Sequence, residues 1–83
     1  MAYRRRKMTE YYPMAELING ERLHTYDSVL SIDRVARQFD LWCKAYDYPI
    51  KKAWAQVYID GKHYSDIEFE DKWIPQQTVL KED

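Results

Sequence analysis

Along AWAQVYIDGKHYSDIEF, Ala53 to Phe69, apolar and polar residues alternate on either side of an Asp-Gly pair, the pattern of a β-hairpin. Which residues share a face depends on the turn. A two-residue turn scatters the apolar side chains over both faces. A three-residue loop closing on a left-handed Gly61 shifts the return strand by one residue and sorts them. The three-residue loop pairs Tyr58 with Lys62 and gathers Ala53, Ala55, Val57, His63, Ser65, Ile67 and Phe69 on a core face. Trp54, Gln56, Tyr58, Lys62, Tyr64, Asp66 and Glu68 fall on the other face. The same loop in LINGER pairs Leu17 with Glu21. It turns Ala15, Leu17 and Leu23 inward and sets Glu16 opposite Arg22 outside.

Between the hairpins the period changes from two to 3.6. Ile32, Val35, Ala36, Phe39, Trp42, Cys43 and Tyr46 gather into one stripe at 100° per residue, with Asp33, Arg34, Arg37, Asp40 and Lys44 opposite. Asp27, Ser28 or Ser31 can cap the start, and Pro49 stops the helix at or before Tyr48, so the expected helix runs from about Ser31 to Tyr46. The order hairpin, helix, hairpin predicts an α+β fold of ββαββ type. Its four-stranded, mainly antiparallel sheet carries the helix on one face. Residues 1–10 read as a mobile basic arm, 11–74 as the single domain and 75–83 as a loosely held tail.

Composition adds constraints to this outline. A chain of 83 residues holds one modest core, and 46% hydrophobic with 16% aromatic residues is enough apolar area to offset chain entropy. Cys43 is the single cysteine, which removes any disulfide framework and suits a reducing compartment, so a cytoplasmic location is expected. No apolar run reaches the length of a membrane span. Net charge is −1, but the charge is polarised. Arg4, Arg5, Arg6 and Lys7 cluster at one end, and from Asp60 onward seven acids face three lysines.

Catalytic and metal-binding patterns are missing. His24 and His63 sit in different hairpins, one cysteine gives no metal-ligand spacing, and both glycines belong to turns, leaving no phosphate-cradling loop. Adjacent His63 and Tyr64 point to opposite faces of a regular strand. The expectation is a protein that is not an enzyme and needs no cofactor.

Three features can bind. The arm Arg4, Arg5, Arg6, Lys7 is either a solvated terminus or a sequence-independent contact for phosphates. Trp54, Tyr58 and Tyr64 form an outward aromatic set, which stacks bases, anchors a protein interface, or is covered by the arm, the tail or Trp73. Asp66, Glu68 and Glu70, with Asp71 next to them, form a row of negative charge at about 6.6 Å intervals, of the order of successive phosphates along a nucleic-acid strand. Such a row either protects an outer strand from aggregation or enters a basic nucleic-acid channel of another protein. Short length, a single domain, dense Tyr, an acidic strand and the start MAYRRRKM are similar to what is seen among the anti-CRISPR proteins of phages and mobile elements. These share no common motif, so no functional residue is carried over. The resemblance implies a stoichiometric inhibitor that binds a host nucleoprotein such as an RNA-guided nuclease and blocks nucleic-acid access. The alternative is a small RNA- or single-stranded-DNA-binding protein using the basic arm and the aromatic face.

Overall fold

The computed structural model describes residues 8–76. Its elements are β1 (Thr9–Leu17), β2 (Arg22–His24), α1 (Ile32–Ala45), β3 (Ile50–Ile59), β4 (Lys62–Glu70) and β5 (Ile74–Pro75). The fold is α+β, with hairpin, helix and hairpin in the expected order and a short fifth strand added. The antiparallel sheet has the order β2-β1-β3-β4-β5, so five strands replace the expected four. β1 takes up Thr9 and Glu10, which the sequence reading places in the arm, and β5 reaches Pro75, the first residue of the expected tail.

The first hairpin has the expected loop. Leu17 N–H donates to Glu21 C=O at 2.8 Å, Gly20 N–H donates to Leu17 C=O at 2.9 Å, and Gly20 takes φ +93°. Asn19 Oδ1 accepts from Glu21 N–H, which holds the loop at three residues. Ala15 then pairs with Leu23 on the buried face, and Glu16 with Arg22 outside, their charged groups 3.9 Å apart.

The second hairpin corrects the expected loop. Asp60 and Gly61 both have positive φ, +53° and +82°, and form a two-residue turn flanked by the pair Ile59 and Lys62. Asp-Gly suits this primed turn because both residues tolerate the left-handed region. The register then slips: Tyr58 pairs with His63 but Val57 with Ser65, leaving Tyr64 as the extra residue of a β-bulge. The bulge restores by one route the parity that the three-residue loop supplies by another. Ala53, Ala55 and Val57 therefore still share the buried face with Phe69 and the half-buried Ile67. His63 does not follow them. It stands opposite Tyr58 instead, with ring centroids 5.4 Å apart.

α1 begins at the N-cap Ser31, whose hydroxyl accepts from Arg34 N–H at 3.2 Å, and ends where Tyr46 N–H reaches Trp42 C=O at 3.0 Å. Ser31→Ala should lower stability by about 1 kcal/mol, and Ser31→Asp should retain most of it, read as shifts in the urea midpoint. Val35, Phe39 and Trp42 are buried against Ala15, Leu17, Leu23, Ala53, Ala55 and Phe69. Cys43 and Tyr46, expected on the buried stripe, are exposed. A bulge at Lys51, where the β1–β3 register shifts, lets Ile50 pack against the core although alternation from Ala53 assigns it outside.

After β4 the chain reverses through Asp71–Trp73, with Lys72 at φ +64° and Trp73 at φ +56°. Side-chain-bearing residues rarely adopt this region. Trp73 is held there by its ring packing 5.1 Å from Phe39 and by Nε1–H donating to Asp40 Oδ1 at 2.7 Å.

Candidate interaction face

One face of the sheet carries α1 and Trp73. The opposite face carries no described element, and the alternation of β1, β3 and β4 decides what it displays. Pro13, Ala15 and Leu17 are buried, which leaves Tyr12, Met14 and Glu16 of β1 outward. Ala53, Ala55 and Val57 do the same for Trp54, Gln56 and Tyr58 of β3. Register sets Met14 beside Trp54, and Tyr12 beside Gln56.

Tyr58 is half-buried in the centre of a short chain of rings. Tyr12 meets it edge-on at 5.1 Å from one side and His63 at 5.4 Å from the other. Trp54 is also half-buried but lies in a separate depression, lined by Arg22 and Lys52 on one side and Asp66 and Glu68 on the other. Tyr64 occupies the bulge and is 59% exposed. The expected set of Trp54, Tyr58 and Tyr64 thus resolves into a ring cluster about Tyr58, a tryptophan in a charged groove and an exposed tyrosine at the edge. Tyr12, Met14 and His63 belong to the face and were not singled out from the sequence. The alternation of YYPMAEL carries the signal for the first two, while His63 is placed by the two-residue turn, whose effect on the hydrophobic pattern the bulge at Tyr64 then hides.

The acidic row lies along β4. Asp66 pairs with Gln56 across the ladder, and its Oδ1 lies 2.9 Å from His63 Nε2. Glu68 stands opposite Trp54. Glu70 accepts a hydrogen bond from the Gln76 side chain, and Asp71 is exposed in the following turn. All four carboxylates are exposed, so the row faces solvent at the margin of the aromatic face.

Of the three coverings the sequence allows for the aromatic face, Trp73 is corrected, because it packs on the helix side. The arm residues Arg4, Arg5, Arg6 and Lys7, and the tail 77–83, lie outside the described residues. Partial burial, and then the charge of Asp40, push the Cys43 thiol above its ordinary pKa, so it stays protonated at neutral pH despite its exposure. Among the described residues no three His, Cys, Asp or Glu side chains group as a metal site, and no helix is long and apolar enough to cross a membrane.

No family model matches this chain, and neither a curated protein nor a solved structure matches it. Fold and face therefore define a class of architecture: a small antiparallel sheet sealed by one helix on one side and displaying rings and carboxylates on the other.

Proposed function

We propose that this chain is a non-catalytic interaction protein. It docks the open face of its sheet on a basic, nucleic-acid-binding groove of a partner protein or nucleoprotein and blocks access to that groove. The observation that carries this reading is the juxtaposition of half-buried rings at Tyr12, Trp54 and Tyr58 with an exposed carboxylate row on the adjoining strand. Rings supply desolvated anchors and the carboxylates supply complementarity to a surface that normally receives phosphates. A stoichiometric inhibitor of an RNA-guided nuclease, the role implied by the anti-CRISPR resemblance, is one occupant of this class.

The test uses the immobilised full chain and the partner it retains from its host's lysate. That partner should be released by its own nucleic acid, because both compete for one groove. Trp54→Ala and Tyr58→Ala should each raise the dissociation rate about 10–100-fold while leaving association nearly unchanged. Direct, salt-sensitive binding of RNA or single-stranded DNA that disappears on replacing Arg4, Arg5 and Arg6 would instead assign the chain to nucleic-acid binding.

A further inference from the structure

The margin of the sheet at β4 carries an inference separate from the aromatic face. β4 has nine residues, but β5 pairs with only Phe69 and Glu70, and one more bond runs from Gln76 N–H to Glu68 C=O at 2.7 Å. Among the described residues nothing pairs with the outer edge of β4 between Lys62 and Ile67. Glu68 C=O points to that edge. Since peptide groups alternate sides along a strand, the N–H and C=O of Asp66 point to it as well.

The other side of the sheet offers a shorter edge. β2 has three residues, and beyond it Tyr11 and Val29 exchange two bonds of 2.8 Å while Pro13 has no N–H to offer. The longer open template for strand pairing among the described residues is therefore β4.

Its side chains indicate what it takes. Asp66 and Glu68 lie on the outer face, so a second copy of β4 laid antiparallel would bring carboxylates against carboxylates, which destabilises the pair. A strand with Lys or Arg at those positions is favoured. On the inner face Ser65 and Ile67 are half-buried, and Ile67 packs against the core, so apolar residues at the alternate positions of an added strand would extend it. We propose that the β4 edge beside Ser65, Asp66 and Ile67 takes up an extended segment of a partner protein as an added strand. That segment alternates basic residues, on the acidic face, with apolar residues, on the helix side. The inference rests on the reading of the chain as an interaction protein, but it uses the backbone edge and not the rings.

The probes are two capped seven-residue peptides, one alternating Lys with Val and one alternating Glu with Val, titrated into the isotope-labelled full chain. The Lys/Val peptide should slow hydrogen exchange of the Asp66 amide about tenfold at saturation, and the Glu/Val peptide should not. Asp66→Lys combined with Glu68→Lys should reverse that preference. Asp66→Asn keeps the amide and should bind the Lys/Val peptide about threefold more weakly, whereas Asp66→Pro removes the outward N–H and should abolish protection of this edge. Perturbations confined to Tyr12, Trp54 and Tyr58 would overturn the edge inference and leave the proposed function standing. Equal binding of both peptides, no binding at millimolar concentration, or an Asp66 amide already protected in the protein alone would each overturn the edge inference.

Discussion

Phe39→Ala should cost about 3–5 kcal/mol, the largest single loss expected of any side chain in the core. Phe39 is fully buried and is the side chain on which three other rings converge: Phe69 edge-on at 5.1 Å, Trp73 at 5.1 Å and Trp42 at 6.1 Å. Removing the ring deletes the transfer free energy of the benzyl group. It also leaves a cavity that β1 and β3 cannot close, because small residues, Ala15, Ala53 and Ala55, already bring the sheet close to the helix. A domain of this size has about 4–12 kcal/mol in total, so the loss takes from about a quarter of that stability to all of it. Urea denaturation followed by circular dichroism measures the loss. Leu41→Ala, on the exposed side of the same helix, should stay within about 0.5 kcal/mol of the parent. An unchanged melting curve for Phe39→Ala would refute the packing.

The second large effect concerns the rate of association. Asp66, Glu68 and Glu70 changed together to Lys should lower the association rate with a basic partner about 10–100-fold at low salt and flatten its salt dependence. The reason is positional. The three carboxylates occupy alternate positions on one exposed strand, so their potentials add over a partner that approaches that margin of the sheet. Two are restrained locally, Asp66 by His63 and Glu70 by Gln76, which fixes the spacing of the row before any partner arrives. Stopped-flow association on variants shown by circular dichroism to be folded reads this directly. If the triple variant associates like the parent, the row is only a solvated edge.

Local signals in the sequence are legible where one turn or one helix decides the outcome. The Leu17–Glu21 loop is readable because Asn19 and Gly20 each meet a local requirement, a side-chain acceptor for Glu21 N–H and a positive φ. Val35, Phe39 and Trp42 are readable because they lie at the centre of the stripe. Cys43 and Tyr46 are not, because periodicity gives a direction without saying what lies opposite. At the last turn of α1 it is a shallow depression shared with Tyr48, Pro49 and Ile50 rather than the packed sheet. In the second hairpin the faces were legible and the register was not, since an extra residue in the loop and an extra residue in the strand leave the same hydrophobic alternation. Tyr12 reaches Tyr58 only through the pairing of β1 with β3, which joins distant segments and is announced by no turn.

The bulge at Tyr64 also constrains how this sequence can change its length. Loss of Tyr64 alone would close the ladder, because His63 opposite Tyr58 would then be followed directly by Ser65 opposite Val57, and Ile67 and Phe69 would keep the core face. A residue gained between Asp60 and Gly61 lengthens the tip while Ile59 still meets Lys62, so the faces of β4 again stay as they are. A second residue lost from the same stretch has no such slack: it turns Ile67 and Phe69 off the core and brings Asp66 and Glu68 under the helix. Among descendants of this chain, one residue lost at the bulge or gained at the tip is therefore tolerated, and a second loss between His63 and Ile67 removes the core it displaces.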